Sequence, residues 1–176
     1  MRARLRHLLG QMVDEGDAGG MEQAYLAYLL DQPARWPNRL AATAGDEERL
    51  WLIVLCTWHA ARLRQAVDLA ACHRALAGLR RLNPALAAQA EAVFAEAHYL
   101  LGPRWAPVWL DLALAQAERL GQHHLKARLL GLKASALEAA GELGEGARFR
   151  KVARALAQRQ GAALYLRLFV DPLEAP

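Results

Sequence analysis

The phrase LALAQAERLG at residues 112–121 decides the fold, because the chain repeats it as VARALAQRQG at residues 152–161. The two copies match position by position, for example at Ala113 and Ala153 and at Gly121 and Gly161. A third copy, RALAGLRRLN at residues 74–83, lies upstream of the first at a similar spacing. Helical phrases that recur with a period of about 40 residues predict a helical-repeat array.

The rest of the chain is also rich in alanine and leucine and carries no strand pattern. Its seven prolines lie at residues 33–37, 84, 103, 107, 172 and 176. The apolar patterns between these prolines are much longer than strands, which predicts an all-α class. A length of 176 residues corresponds to about one domain.

Proline and glycine positions divide the chain into antiparallel helix hairpins. We expect one domain over residues 1–176, in which tetratricopeptide-like hairpins stack into a right-handed superhelix. The expected hairpins span about residues 2–31, 46–83, 84–121 and 122–161, with a cap at residues 162–171 and with residues 141–146 as the turn of the last hairpin. The segment Leu50–Trp58 is apolar on nearly all sides, which places its helix centrally.

Charge, hydropathy and cysteine content predict the cellular location of the protein. The chain has a net charge of +4 and an apolar fraction of 55%, but no stretch approaches the ~20 apolar residues of a membrane span. Its basic start is followed by a broken apolar stretch, so we expect no secretory signal. Cys56 and Cys72 are the only cysteines, which fits a reducing compartment. We therefore expect a cytoplasmic protein without a membrane partner.

The C-terminal third carries a family resemblance. The segment ASALEAAGELGEGARFRKVARALAQRQG, followed by YLRLFVD, resembles the end of the tetratricopeptide-like sensor region in ATP-dependent LuxR-family activators of the maltose-regulator type. The matching residues are Gly141, Leu143, Glu145 and Ala147 in the hairpin turn, Gly161 at the helix end, and Leu166, Arg167, Leu168, Phe169, Val170 and Asp171. The resemblance covers about residues 112–171 and implies a regulatory superhelix that holds a small inducer or a protein partner on its concave face.

The chain departs from the pattern of this family in its hairpin turn and in two functional modules. It has one extra glycine in the turn, Gly146, and no phosphate-binding GxxxxGK[ST] motif. We expect no helix-turn-helix module after residue 171. ATP hydrolysis and operator binding are therefore not carried over by the resemblance.

Four residues form the one set that suggests a metal: Cys56, His59, Cys72 and His73. Cys56 and His59 share a helix face, and the other two lie on the expected partner helix. The spacing does not match known zinc sites, so we interpret these residues as two buried thiols and two partly exposed imidazoles. A metal-dependent enzyme stays an alternative, but we expect no metal and no cofactor.

The basic helix at residues 147–160 and the tryptophans are also open to two interpretations. Arg150 and Arg154 share one face, which indicates the solvated side of an amphipathic helix, with nucleic-acid binding as the alternative. Trp51, Trp58, Trp105 and Trp109 are interpreted as packing residues, and a stacking platform for a ligand is the alternative.

We therefore expect a regulatory or adaptor protein without catalytic activity, in a signalling or transcription-regulatory system. It would bind a protein or peptide partner, or a small-molecule inducer, in the groove formed by the first helices of successive hairpins. Self-association is a further option, and this chain by itself is not expected to bind nucleic acid. The expected contact residues are Trp58, His59, Arg62, His98, Tyr99 and Lys126.

Overall fold

The computed structural model describes residues 20–31, 45–102 and 106–166, and these residues are helical without any strand. The helices are α1 (Gly20–Leu29), α2 (Asp46–Arg62), α3 (Leu69–Leu82), α4 (Pro84–Leu101), α5 (Ala106–Arg119), α6 (Lys126–Ala139) and α7 (Leu143–Arg159). A 3-10 turn at His123–Leu125 precedes α6, and the single turn α8 (Ala163–Tyr165) follows α7. The predicted all-α class is thus confirmed for this part of the chain.

Side chains and glycines set the helix ends. The Asp68 carboxylate accepts a hydrogen bond from the amide of Ala71, and the Asn83 side chain accepts one from the amide of Leu86, so each caps a helix. After α5, α6 and α7 comes a residue with positive φ, in each case a glycine. The next amide then donates to a carbonyl five residues back, which closes the helix end.

The helices pack in an alternating order. Each helix from α2 to α7 contacts the one before it, and in addition α2 contacts α4 and α4 contacts α6. We call α2, α4 and α6 the first-helix layer. Helix α4 lies at the middle of this layer and is buried without interruption from Ala87 to Ala97. Its many alanines let the neighbouring helices approach closely on several sides.

One predicted boundary was wrong. Residues 141–146 were expected to form a turn, but α7 begins at Leu143. Gly146 makes this packing feasible, because a Cβ at its position would lie 3.0 Å from the carbonyl oxygen of Ala134 on α6. Helix α3 begins at Leu69, where the Asp68 cap fixes its start.

Several expectations fall on residues outside the described part. These are residues 2–19 of the first expected hairpin, Trp105, and residues 167–171 of the cap. Of the expected cap, Ala162 and Tyr165 are buried against the cluster of α4, α5 and α6. None of the helices described is long and apolar enough to cross a membrane.

Candidate functional site

A buried polar network joins the three helices of the first-helix layer. Trp58 on α2 donates its indole N–H to Oε1 of Glu96 on α4 over 3.1 Å. Arg128 on α6 donates to both oxygens of the same carboxylate, with Nε–Oε2 at 2.9 Å and Nη2–Oε1 at 2.8 Å. None of the three side chains is more than 2% exposed. Buried charges persist only with such partners, so this network ties α2, α4 and α6 together.

The carboxyl end of α1 closes over this network. Nη1 of Arg128 donates to the carbonyl oxygens of Tyr28 at 3.0 Å and Leu29 at 3.2 Å. The guanidinium carbon also lies 4.0 Å from the centre of the Tyr28 ring, which meets Trp58 edge-on at 5.3 Å. The last carbonyls of a helix favour a cation, so Arg128 holds α1 against the first-helix layer. Helix α1 therefore covers Trp58.

The charges in this network are fixed. Burial alone would lower the pKa of Arg128, but the negative charge of Glu96 and its hydrogen bonds raise that pKa above its ordinary value. Burial raises the pKa of the Tyr28 phenol well above its usual range. The guanidinium therefore stays charged and the phenol neutral near pH 7, which suits a structural contact better than proton transfer.

Arg62 also binds the end of α1. Its Nε donates to Oδ1 of Asp31 at 2.9 Å and its Nη2 to Oδ2 at 2.7 Å. Burial raises the pKa of Asp31, and the charge of Glu96 raises it further. Two arginines from distant parts of the sequence thus anchor the same short helix.

His98 belongs to a separate aromatic cluster on α3, α4 and α5. Its ring stacks on Trp109 with centroids 4.9 Å apart, and it meets Phe94 edge-on at 4.5 Å. The centroid of the His73 ring lies 6.4 Å away. Burial and the neighbouring His73 lower the pKa of His98, so its imidazole is neutral at pH 7.

The remaining predicted contact residues lie apart from one another. Tyr99 is half-buried against the cluster of α4, α5 and α6, and His59 is half-buried in the last turn of α2. Lys126, at the start of α6, forms an ion pair with Glu118. Of the six predicted contact residues, only Lys126 lines the groove between α5 and α7 that is described below. A ligand role for the six stays a prediction.

The suggested metal set does not converge. Within the described residues, which include all four members of the set, no group of three or more histidine, cysteine or acidic side chains is placed to hold a metal ion. Burial raises the pKa of Cys72 to about 11, so its thiol is protonated. The ring of His73 contacts Phe94 at 4.7 Å. The alternative of a metal-dependent enzyme thus loses the ligand set on which it was based.

The basic helix at residues 147–160 is partly neutralised. Arg150 binds Glu138 on α6 and donates to Ser135 over 3.2 Å. Arg148 pairs with Glu145 one turn earlier at 3.5 Å. Since these arginines have acidic partners, the helix offers fewer free cations than its sequence suggests.

A groove lies between α5 and α7, next to α6. Its volume is about 920 Å³. We call it the outer groove, and its lining residues are Leu114, Ala115, Glu118 and Arg119 on α5, Lys126 and Leu130 on α6, and Lys151, Val152, Ala155, Leu156 and Arg159 on α7. Its three leucines are buried or half-buried and form the floor, and the exposed side chains around them are mostly charged, which is the composition of a binding surface.

Comparisons with known proteins leave the family open. No family model, no curated protein and no solved structure matches this chain. The resemblance to the maltose-regulator type therefore stays a prediction.

The sequence interpretation missed Glu96 and Arg128. Each interrupts an otherwise apolar stretch, AVFAEAHYL for Glu96 and ARLLGL for Arg128. A lone charge inside a buried helix requires a partner of opposite sign, and that signal was available. The outer groove was also missed, because it depends on the spacing between α5 and α7.

Proposed function

We propose that this chain is a non-catalytic regulatory or adaptor protein, built from tetratricopeptide-like hairpins, that binds a protein partner. The alternating contacts of α2 to α7 support the repeat part of this proposal. So does a set of equivalent side-chain contacts one repeat apart.

In the earlier repeat, Phe94 contacts His73 at 4.7 Å and Trp109 at 5.2 Å. In the next repeat, Lys133 binds Asp111 at 2.5 Å and lies 4.1 Å from the centre of the Phe149 ring. The two sets correspond one repeat apart, namely His73 with Asp111, Phe94 with Lys133 and Trp109 with Phe149. Different chemistry thus occupies the same positions, as expected for diverged repeats.

The outer groove is the observation that supports binding of a protein partner. The corresponding space one repeat earlier, between α3 and α5, has a volume of only about 70 Å³. There, Phe94 and Trp109 fill the gap, and Arg80 binds Glu91 at 2.6 Å beside them. The wider space between α5 and α7 keeps Val152 on its wall 54% exposed. Apolar side chains left open in this way favour a partner that covers them.

The experiment compares two aspartate substitutions on α7. The tagged full-length chain, Val152→Asp and Leu143→Asp would each capture partners from a lysate of the source organism, followed by mass spectrometry. Val152 lines the outer groove, whereas Leu143 is also exposed but lies outside it. We expect Val152→Asp to lose a partner that the wild-type chain and Leu143→Asp retain. Equal capture by all three chains would contradict binding in the outer groove.

A further inference from the structure

We infer that the outer groove binds an amphipathic helix of a partner protein, one that carries acidic residues beside its apolar face. This inference rests on the proposed function and adds the chemistry of the partner. It follows from the floor, the rim and the length of the groove.

The floor of the groove favours a ligand with apolar anchor side chains. Leu114 on α5, Leu130 on α6 and Leu156 on α7 face it together. Leu130 is 8% exposed, and all three pack in one small cluster with Phe149. A ligand that inserts leucine-sized side chains would therefore bury its own apolar surface and that of Val152 at once.

The rim of the groove favours a ligand with negative charge. Four cations, Arg119, Lys126, Lys151 and Arg159, stand against one acid, Glu118. Glu118 is already paired with Lys126. No carboxylate in the described part of the chain lies within ion-pair distance of Arg119, Lys151 or Arg159. A partner with glutamate or aspartate at its flanks would complement these three cations.

The shape of the groove favours a helix as occupant. Its lining on α7 runs from Lys151 to Arg159, a length of about 12 Å at ~1.5 Å per residue. This length accommodates about two turns of a helix with anchors at positions i and i+4. The described residues contain no strand edge with which an extended peptide could pair. A second copy in a two-fold arrangement would bring the two basic rims together, which is unfavourable.

The test uses three synthetic helices of equal length, each about four turns long, with the same leucine face and with glutamate, glutamine or lysine flanks. Their affinity for the full-length chain would be measured by fluorescence anisotropy at low and at raised salt. We expect the glutamate helix to bind at least about tenfold more tightly than the glutamine helix, and the lysine helix more weakly still. The advantage of glutamate should shrink as salt rises.

Matched variants locate the binding site. Arg159→Glu should weaken the glutamate helix by about tenfold, since it reverses one rim charge. Arg148→Glu makes the same change on the same helix, at a side chain that is 82% exposed and outside the groove, and should leave binding unchanged. Val152→Asp should weaken all three helices, and circular dichroism would verify that each variant is folded.

Several results would overturn the inference. One is equal affinity for the three helices, and another is an equal loss in Arg159→Glu and Arg148→Glu. A dimer of the wild-type chain that Val152→Asp abolishes would make a second copy the occupant. Duplex DNA bound through Arg159 but not through Val152 would indicate a phosphate-binding surface. If no helix binds while Val152→Asp still loses a lysate partner, the proposed function stands and the acidic helix is wrong.

Discussion

Arg64 has a backbone conformation that suits glycine better. Its φ is +58°, and it follows the end of α2 at the position where α5, α6 and α7 have glycines. A side chain in this left-handed region costs about 1–2 kcal/mol, and the extra flexibility of an unfolded glycine offsets part of the gain. We expect Arg64→Gly to raise the free energy of unfolding by about 0.5–1 kcal/mol in urea titrations. Gly121→Arg, with open space around its Cβ, should lower it, and a loss in Arg64→Gly would contradict this account.

His98 links stability to pH. Its pKa in the folded protein is lowered from the ordinary value of 6.5 by burial and by His73. Between these two pKa values the unfolded chain binds a proton that the native chain does not, so stability falls as pH drops below about 6.5. The fall ends once pH is below the native pKa. We expect His98→Phe, which keeps an aromatic ring beside Trp109, to reduce this dependence in thermal unfolding.

The exposed His123 provides the control for that experiment. His123→Gln removes another histidine without touching the cluster of His73, Phe94 and Trp109. A change of slope in His98→Phe that His123→Gln does not reproduce would assign the pH dependence to His98. Equal slopes in wild type and His98→Phe would mean that other histidines dominate the effect.

At the scale of elements, the hairpin of α6 and α7 depends on one close approach. A Cβ added at Gly146 would lie 3.0 Å from the backbone oxygen of Ala134 and 2.5 Å from Cγ of Glu138. Gly144, in the same first turn of α7, has nothing within 4 Å. We expect Gly144→Ala to stabilise the protein by about 0.5–1 kcal/mol through helix propensity. Gly146→Ala should destabilise it by about 1–3 kcal/mol through overpacking.

Chemical denaturation of the two alanine variants would separate packing from propensity. Both substitutions add one methyl group to the same helical turn, so the difference between them isolates the contact with α6. A gain in both variants would show that α7 can move away from α6 without cost.

The repeat period and the proline and glycine positions predicted most of the helices, because these sequence signals act locally. Pro84 after Asn83, and the glycines at residues 121 and 161, mark boundaries through their own backbone preferences. The start of α7 was missed because Gly144 and Gly146 disfavour a helix locally, whereas packing against α6 supplies the missing stability. Tertiary contacts outweighed propensity there.

The candidate site was less predictable for a related reason. Trp58 and Arg62 lie on α2, but their partners, Glu96 and Asp31, lie 38 and 31 residues away in the sequence. Sequence spacing indicates which residues share a helix face and does not indicate what covers that face. Helix α1 is that cover, and its position depends on Arg128, about 100 residues from the carbonyls it binds.

At the scale of the whole molecule, the two sides of the helix array differ. The first-helix layer is closed by contacts that join residues up to 100 positions apart. The side with α5 and α7 retains a groove of about 920 Å³. Repeat arrays are usually held by neighbouring contacts alone. A network that ties α1 to α2, α4 and α6 should therefore make this part of the chain unfold as one cooperative unit and keep the walls of the groove fixed.

Arg128 provides the test of that cooperativity. Arg128→Met leaves the Glu96 carboxylate buried with only the Trp58 N–H as a partner, so we expect a loss of about 3–5 kcal/mol in urea unfolding. Adding Glu96→Gln removes the buried charge while an oxygen remains for Trp58, and should recover part of that loss. Hydrogen exchange should show lower protection in α1 of Arg128→Met, with α7 less affected. A loss under about 1 kcal/mol, or an additive further loss on adding Glu96→Gln, would mean that packing of apolar side chains alone holds α1 and that the network is not a cooperative link.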